Sequence, residues 1–294
     1  MRTVRIMRGF LVPLSCLLLL PACGGGAGSS DAAEAGRGLR VAAAFYPLAE
    51  LARQVGGDLV KVDDLTPPGA EPHDLELGPD EVDRVEAGDL LVLLGGGFQP
   101  GLESLSDRAR SLVVLDRLEE NSGPPGDPHL WLDPRTMTEL ADLMADELAG
   151  IDGAHEAEYR NNAAAFVSEL KALDTEMEAG LRDCSTKVLV SAHDAFGWLG
   201  SRYGLRTESI AGLSPEQEPD PARLAELADL VEAEKVTTVF TETLVSPRVA
   251  ETLARETGVK TAVLDPLESA PADGGYLQAM RSNLRVLREG LGCR

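Results

Sequence analysis

Short apolar runs alternate with amphipathic helical patterns along most of the chain, in two sets of similar length. The first set spans residues 39–150 and includes Asp89–Leu94, whose apolar run is typical of a strand buried on both faces. The second set spans residues 185–294 and includes the strand-like runs Lys187–Ser191 and Val236–Thr241. Strands that alternate with helices favour a parallel sheet with helices on its faces. The sequence therefore predicts an α/β protein of two lobes, each built on a parallel sheet.

One long helical pattern lies between the two sets. Apolar residues recur at helical spacing from Tyr159 to Leu181, and no Gly or Pro interrupts the stretch from Ala154 until Gly180. At about 1.5 Å per residue, a helix over this stretch is roughly 40 Å long. We therefore predict one rigid helix, within residues 151–184, that joins the two lobes.

The first 22 residues have the features of an export signal. Three arginines precede the apolar segment Phe10–Leu20, which is too short to cross a membrane. The following Leu20-Pro21-Ala22-Cys23 has the form of a lipobox, in which cleavage leaves Cys23 as a lipid-bearing amino terminus. More than one acyl chain is needed for stable anchoring, and a lipoprotein cysteine supplies them. The sequence predicts a protein held on the extracytoplasmic face of the cell membrane.

Residues 23–38 are rich in Gly, Ala and Ser and are expected to form a flexible tether. Loss of residues 1–22 removes three of the 27 basic residues and none of the 49 acidic ones, which leaves a formal net charge of about −25. A body of this charge is not attracted to nucleic acid or to an anionic membrane surface. The composition therefore excludes these two classes of partner.

Three of the four histidines follow strand-like runs in similar loops. They occur in Pro72-His73-Asp74, Pro128-His129-Leu130 and Ala192-His193-Asp194. In an open α/β sheet the loops after the strand ends converge on one crevice, so we expect the three imidazoles to meet between the lobes. Imidazole nitrogen is a preferred ligand of Zn²⁺, which takes four ligands in a tetrahedron. The pattern predicts a metal site.

The fourth ligand has two candidates in the loop after the last strand-like run. Asp265 follows that run directly, and Glu268 lies three residues further on. Glu242 follows another strand-like run and is a candidate to support a ligand histidine from behind. His155 lies in a polar stretch near the start of the long helix, and we expect it at the surface.

The residues around these histidines resemble those of a known family, the metal-binding lipoproteins of bacterial ABC importers for zinc and manganese (cluster A-I, or cluster 9, solute-binding proteins). The resemblance extends from about Leu39 to the carboxyl terminus. It rests on the segments Gly69-Ala70-Glu71-Pro72-His73-Asp74, Asp127-Pro128-His129-Leu130-Trp131-Leu132-Asp133-Pro134, Ser191-Ala192-His193-Asp194-Ala195-Phe196-Gly197, Gly212-Leu213-Ser214-Pro215-Glu216 and Phe240-Thr241-Glu242.

The resemblance implies a monomeric carrier that captures Zn²⁺ and delivers it to an ABC permease in the membrane, and that catalyses nothing. It implies that His73, His129 and His193 are metal ligands and favours Glu268 over Asp265 as the fourth. Manganese members tend to replace the third histidine with a carboxylate, whereas this chain keeps His193, which favours zinc. Many zinc members also carry a histidine-rich loop, which residues 116–128 lack.

Two cysteines remain after the signal and the lipid site are set aside. Cys184 ends the long helix before the second lobe, and Cys293 follows the last helix. Both are expected at the same end of that lobe, in an oxidising compartment. We therefore predict a disulfide between Cys184 and Cys293.

Three other functions remain to be weighed. A member of the same family can carry manganese or iron, and some members have been described as surface adhesins. A zinc hydrolase needs an open coordination position and a general base, for which Glu268 or Asp265 is available, but the chain has no His-Glu-x-x-His motif. A zinc carrier is the leading hypothesis.

Overall fold

The structure is a computed structural model, and it describes residues 38–118, 123–214 and 220–294. The predicted export signal, the lipid site Cys23 and nearly all of the tether lie outside these residues. Among the described residues, no helix has the length and apolarity needed to cross a membrane.

The first half of the chain forms a four-stranded parallel sheet in the order β2-β1-β3-β4. Val41 of β1 pairs with Val62 on one side and with Leu90 on the other, so β1 and β3 lie in the middle of the sheet. Every residue of β3 is buried, as its apolar run predicts. The elements are β1 Leu39–Ala43, α1 Tyr46–Gly56, β2 Val60–Asp64, α2 Pro79–Glu86, β3 Leu90–Leu93, α3 Pro100–Glu103, β4 Ser111–Val113 and α4 Pro134–Ile151.

The second half forms a sheet with the same topology, in the order β6-β5-β7-β8. Val190 of β5 pairs with Glu208 on β6 and with Val239 on β7, again all parallel. The chain changes its winding direction between β5 and β7, and ligands of open α/β sheets bind at such a point. The elements are β5 Val188–Ser191, α6 Gly197–Tyr203, β6 Arg206–Ser209, α7 Pro221–Ala233, β7 Thr238–Thr241, α8 Arg248–Thr257, β8 Lys260–Val263 and α9 Gly275–Leu291.

A long helix joins the two halves, as predicted. This helix, α5, spans Glu156–Leu181 and follows a single 3₁₀ turn, Gly153–His155. Its buried stripe includes Tyr159, Phe166 and Leu173, and it packs against α1 and α4 of the first half and α6 and α9 of the second. The two parallel sheets and the single helix that joins them confirm the two-lobed α/β fold predicted from the sequence.

The main hydrophobic core is continuous across the two halves. It joins side chains of the first sheet, such as Val92, to Leu189 and Phe240 of the second and to Tyr276 of α9. A smaller core lies between the second sheet and the helices α7 and α8. At the far end of α5, the expected pair Cys184 and Cys293 forms a disulfide.

Candidate metal centre

His129 is held by a carboxylate two residues before it. Oδ1 of Asp127 lies 2.9 Å from the backbone N–H of His129 and 2.8 Å from its ring Nδ1. A 3₁₀ turn, Leu130–Leu132, follows at once and buries the segment. With Nδ1 donating to Asp127, the lone pair of Nε2 remains available to bind a metal.

The same arrangement holds His193, but its carboxylate comes from another strand. His193 follows β5, and Glu242 follows the neighbouring β7. Oε1 of Glu242 accepts the backbone N–H of His193 at 2.9 Å, and Oε2 pairs with ring Nδ1. Glu242 thus has the supporting position that was suggested for it from the sequence.

His73 lies in a 3₁₀ turn, Pro72–Asp74, in the loop between β2 and α2. Glu71 caps this turn, with its Oε1 accepting the His73 backbone N–H at 3.3 Å. The imidazole packs against Phe98 with ring centroids 4.4 Å apart. Nε2 of Gln99 donates to the carbonyl of Pro72 at 3.1 Å, which fixes the turn against the first sheet.

Glu268 comes from the loop after β8 and is 1% exposed. Asp265 does not point to the histidines, because its Oδ1 accepts the backbone N–H of Leu267 at 2.9 Å and the hydroxyl of Thr243 at 3.3 Å. Leu267 has a φ of 58°, in the left-handed region that a leucine rarely adopts. The loop also accepts a hydrogen bond from Trp131 Nε1 at the Pro266 carbonyl, at 2.7 Å. This tight turn directs the Glu268 side chain towards the three histidines.

Four side chains converge on one point and form what we call the cluster: His73, His129, His193 and Glu268. Oε1 of Glu268 lies 3.4 Å from Nε2 of His73, 3.2 Å from Nε2 of His129 and 3.5 Å from Nε2 of His193. The Nε2 atoms of His129 and His193 are 3.4 Å apart, and all four ligand atoms lie within 4.8 Å of one another. Zinc bonds of about 2.0–2.1 Å in a tetrahedron place the ligand atoms about 3.3–3.4 Å apart. The three distances to Glu268 and the distance between His129 and His193 therefore match the spacing of a tetrahedral zinc site.

The charges of the cluster are strongly coupled. Burial lowers the pKa of His193, but its hydrogen bonds to Glu242 and Glu268 outweigh burial and raise this pKa to about 10. His129 follows the same pattern, with Asp127 and Glu268 raising its pKa against burial. Burial raises the pKa of Glu268, yet the three hydrogen-bonded imidazoles hold it well below its usual range. Without a metal, these shifts favour the ionised carboxylate of Glu268 and the protonated forms of His129 and His193.

The structure brings together His73, His129, His193 and Glu268, and it leaves Asp265 outside the cluster. His155 lies apart near the start of α5, where its Nδ1 pairs with Asp152 at 2.6 Å. The sequence interpretation overlooked the role of Asp127, whose signal was its position two residues before His129. Both oxygens of Glu268 are buried, and Oε1 faces the three imidazole nitrogens at 3.2–3.5 Å, as expected of an atom that shares a cation with them.

A family model described as "Zinc-uptake complex component A periplasmic" matches residues 41–290. The chain is 32% identical to the zinc-binding lipoprotein AdcA of Streptococcus pneumoniae TIGR4, over 93% of this chain and 59% of that protein. It is 30% identical to the high-affinity zinc uptake system protein ZnuA of Bacillus subtilis 168, over 96% of this chain and 97% of that protein. This chain thus spans about three fifths of the length of the AdcA relative.

A similar solved structure is that of Lmb of Streptococcus agalactiae, described as a laminin-binding protein with adhesin and metal-transporting activity. The two folds superpose with a TM-score of 0.82 at 34% sequence identity, over 86% of this chain and 100% of Lmb. From the match of the family model over residues 41–290, the chain belongs to the family of the periplasmic component A of the zinc-uptake complex.

Proposed function

We propose that this protein is a zinc carrier that binds one Zn²⁺ outside the cytoplasm and delivers it to an ABC import permease. One observation carries the proposal: the Glu268 carboxylate lies 3.2–3.5 Å from the Nε2 atoms of three buried or nearly buried imidazoles, which is the donor spacing of a tetrahedral zinc site. The relatives AdcA and ZnuA carry zinc binding or zinc uptake in their names, which supports the same metal.

Zinc fits this set of donor atoms better than manganese does. Three nitrogens and one oxygen suit Zn²⁺, whereas Mn²⁺ prefers oxygen ligands in an octahedron. Asp127 and Glu242 support His129 and His193 through their second nitrogens, as carboxylates do behind zinc-bound histidines. Three carboxylate- or protein-held imidazoles and one carboxylate therefore suit a single cation of borderline softness, such as Zn²⁺.

A carrier also fits the site better than a hydrolase does. Four protein ligands complete the tetrahedron and leave no position for a metal-bound water, which zinc hydrolysis requires. Family membership points the same way, since the family model describes a component of an uptake complex.

The anchor and the partner complete the proposal. We propose that cleavage after Ala22 leaves Cys23 as the lipid-bearing end, and that a tether over residues 23–38 connects it to lobes over 39–150 and 185–294, joined by residues 151–184. An anchored carrier of this kind works as a monomer and releases its ion to the permease in the same membrane. Loss of growth in zinc-poor medium when Cys23 is replaced by Ala would support the proposed lipid anchor.

Zinc binding by the mature protein tests the proposed function. Competition with a zinc chelator is expected to give one tight site per chain, and His193→Ala is expected to abolish tight binding. His155→Ala is a matched control because that histidine lies outside the cluster. A wild-type protein that binds no zinc, or a His193→Ala variant with unchanged affinity, would contradict the proposal.

The similarity to Lmb supports a second candidate function, adhesion to laminin. Surface plasmon resonance of the mature protein on immobilised laminin tests it directly. Binding that is equal for the wild type and His193→Ala would indicate an adhesive surface separate from the metal site. An absence of binding at micromolar concentrations would remove this candidate.

A further inference from the structure

The three histidines of the cluster are not equivalent. The side chains of His129 and His193 are fully buried, whereas that of His73 is 11% exposed. His129 and His193 each hold a carboxylate on Nδ1, but within the described residues no carboxylate lies within hydrogen-bonding distance of Nδ1 of His73. A histidine without such a partner is less firmly oriented as a ligand.

His73 also borders open space. A groove of about 670 Å³ runs beside the cluster, and among the four cluster residues only His73 lines it. Phe98 and Asp127 line the same groove, together with backbone of the glycine turn 95–97. Because the side chains of the other three residues are fully buried, we infer that solvent reaches the metal position past His73.

The loop that carries His73 is fastened to the other half of the molecule. The backbone N–H of Gly69 donates to Oγ of Ser269 at 2.9 Å, although the two residues are 200 positions apart. Ser269 directly follows Glu268, so this hydrogen bond ties together two ligand-bearing loops from opposite halves. On its own side, the His73 loop is held by Gln99 at the Pro72 carbonyl.

We propose that Ser269 is a positioning residue whose hydrogen bond to Gly69 holds the His73 loop closed. Zinc is released when this loop opens and His73 is the first ligand to leave the metal. The inference rests on the proposed function, since it concerns the same site. After His73 leaves, three protein ligands remain, and a water from the groove takes the vacant position, as in open zinc sites. Release then proceeds into the groove.

Zinc release rates test the role of the hydrogen bond between Gly69 and Ser269. Zinc-loaded protein is mixed with an excess of chelator in a stopped-flow instrument, and the release rate is measured for the wild type, Ser269→Ala and Ser269→Thr. Loss of one hydrogen bond is expected to raise the release rate of Ser269→Ala roughly three- to tenfold. Ser269→Thr keeps the hydroxyl and is expected to restore the wild-type rate. Ser168→Ala, on the exposed face of α5, is the matched control.

The order of ligand loss is tested by affinity. His73→Ala is expected to retain one zinc per chain, with an affinity at least about tenfold higher than that of His129→Ala, since it keeps both carboxylate-supported histidines. Equal losses in His73→Ala and His129→Ala, or a release rate for Ser269→Ala that equals that of Ser168→Ala, would overturn the inference. Wild-type protein that binds no zinc would instead overturn the proposed function itself.

Discussion

Glu242 holds His193 by both of its carboxylate oxygens, although the two residues are 49 positions apart. One oxygen accepts the backbone N–H of His193, and the other pairs with ring Nδ1. The contact arises because β5 and β7 are neighbours in the sheet and both residues follow the carboxyl ends of their strands. The crossover point of the second sheet therefore sets the position and the tautomer of a proposed ligand.

Replacing Glu242 by Gln is expected to weaken zinc binding about 10- to 100-fold. The amide can still accept the backbone N–H, but its NH₂ then faces Nδ1 and drives the ring proton to Nε2, the nitrogen that would bind the metal. Isothermal titration with zinc checks this. Glu226→Gln on the exposed face of α7 serves as the control, and equal affinities for the two variants would show that Glu242 has no such role.

Replacing Gly197 by Ala is expected to weaken zinc binding without contact with the metal. A Cβ at this position would lie 2.3 Å from Oδ2 of Asp127, so the carboxylate must move away from His129. We expect a loss of about tenfold, the lower end of what a supporting carboxylate contributes. Gly153→Ala is the control, because no atom lies within 4 Å of its Cβ. A Gly197→Ala protein with wild-type affinity would show that Asp127 is not needed.

Zinc affinity is expected to fall steadily as the pH is lowered from 8 to 5. Burial lowers the pKa of His193, but Glu242 and Glu268 raise it to about 10, so the metal-free protein holds this proton throughout the range. Zinc must displace the proton, and each displaced proton costs about tenfold in affinity per pH unit. Titration calorimetry in buffers of different ionisation enthalpy counts the protons released. Constant affinity between pH 5 and 8 would argue against histidine ligation.

Removing the disulfide is expected to destabilise the protein while leaving the metal site intact. Cys184 and Cys293 are 109 positions apart, and the chain-entropy model gives about 4–5 kcal/mol as an upper figure for a loop of this size. Urea unfolding of the oxidised protein and of a Cys184→Ser, Cys293→Ser double variant measures the difference. Coincident unfolding curves would show that the disulfide adds nothing, and the zinc stoichiometry is expected to be the same in both.

The fold could be predicted because its signals are local. Alternating apolar runs and the uninterrupted pattern from Tyr159 to Leu181 each depend on neighbouring residues, and they gave two parallel sheets joined by α5. The meeting of His73, His129 and His193 followed from the rule that loops after parallel strands converge. These features need only the order of elements along the chain.

The finer geometry of the site depends on contacts that the sequence does not show. Whether Asp265 or Glu268 faces the histidines is decided by the left-handed turn at Leu267, a conformation that its residue type does not favour. The hydrogen bond between Gly69 and Ser269 spans the two halves and has no local signal. Contacts of this kind join residues far apart in the chain, so they are seen only in the folded structure.

A crystal structure of the zinc-loaded protein, with diffraction data collected on both sides of the zinc absorption edge, tests the central claim most directly. The account predicts one anomalous peak per chain, about 2.0–2.1 Å from Nε2 of His73, His129 and His193 and from a carboxylate oxygen of Glu268. A peak at another place, or zinc bound by Asp265 in place of Glu268, would contradict it.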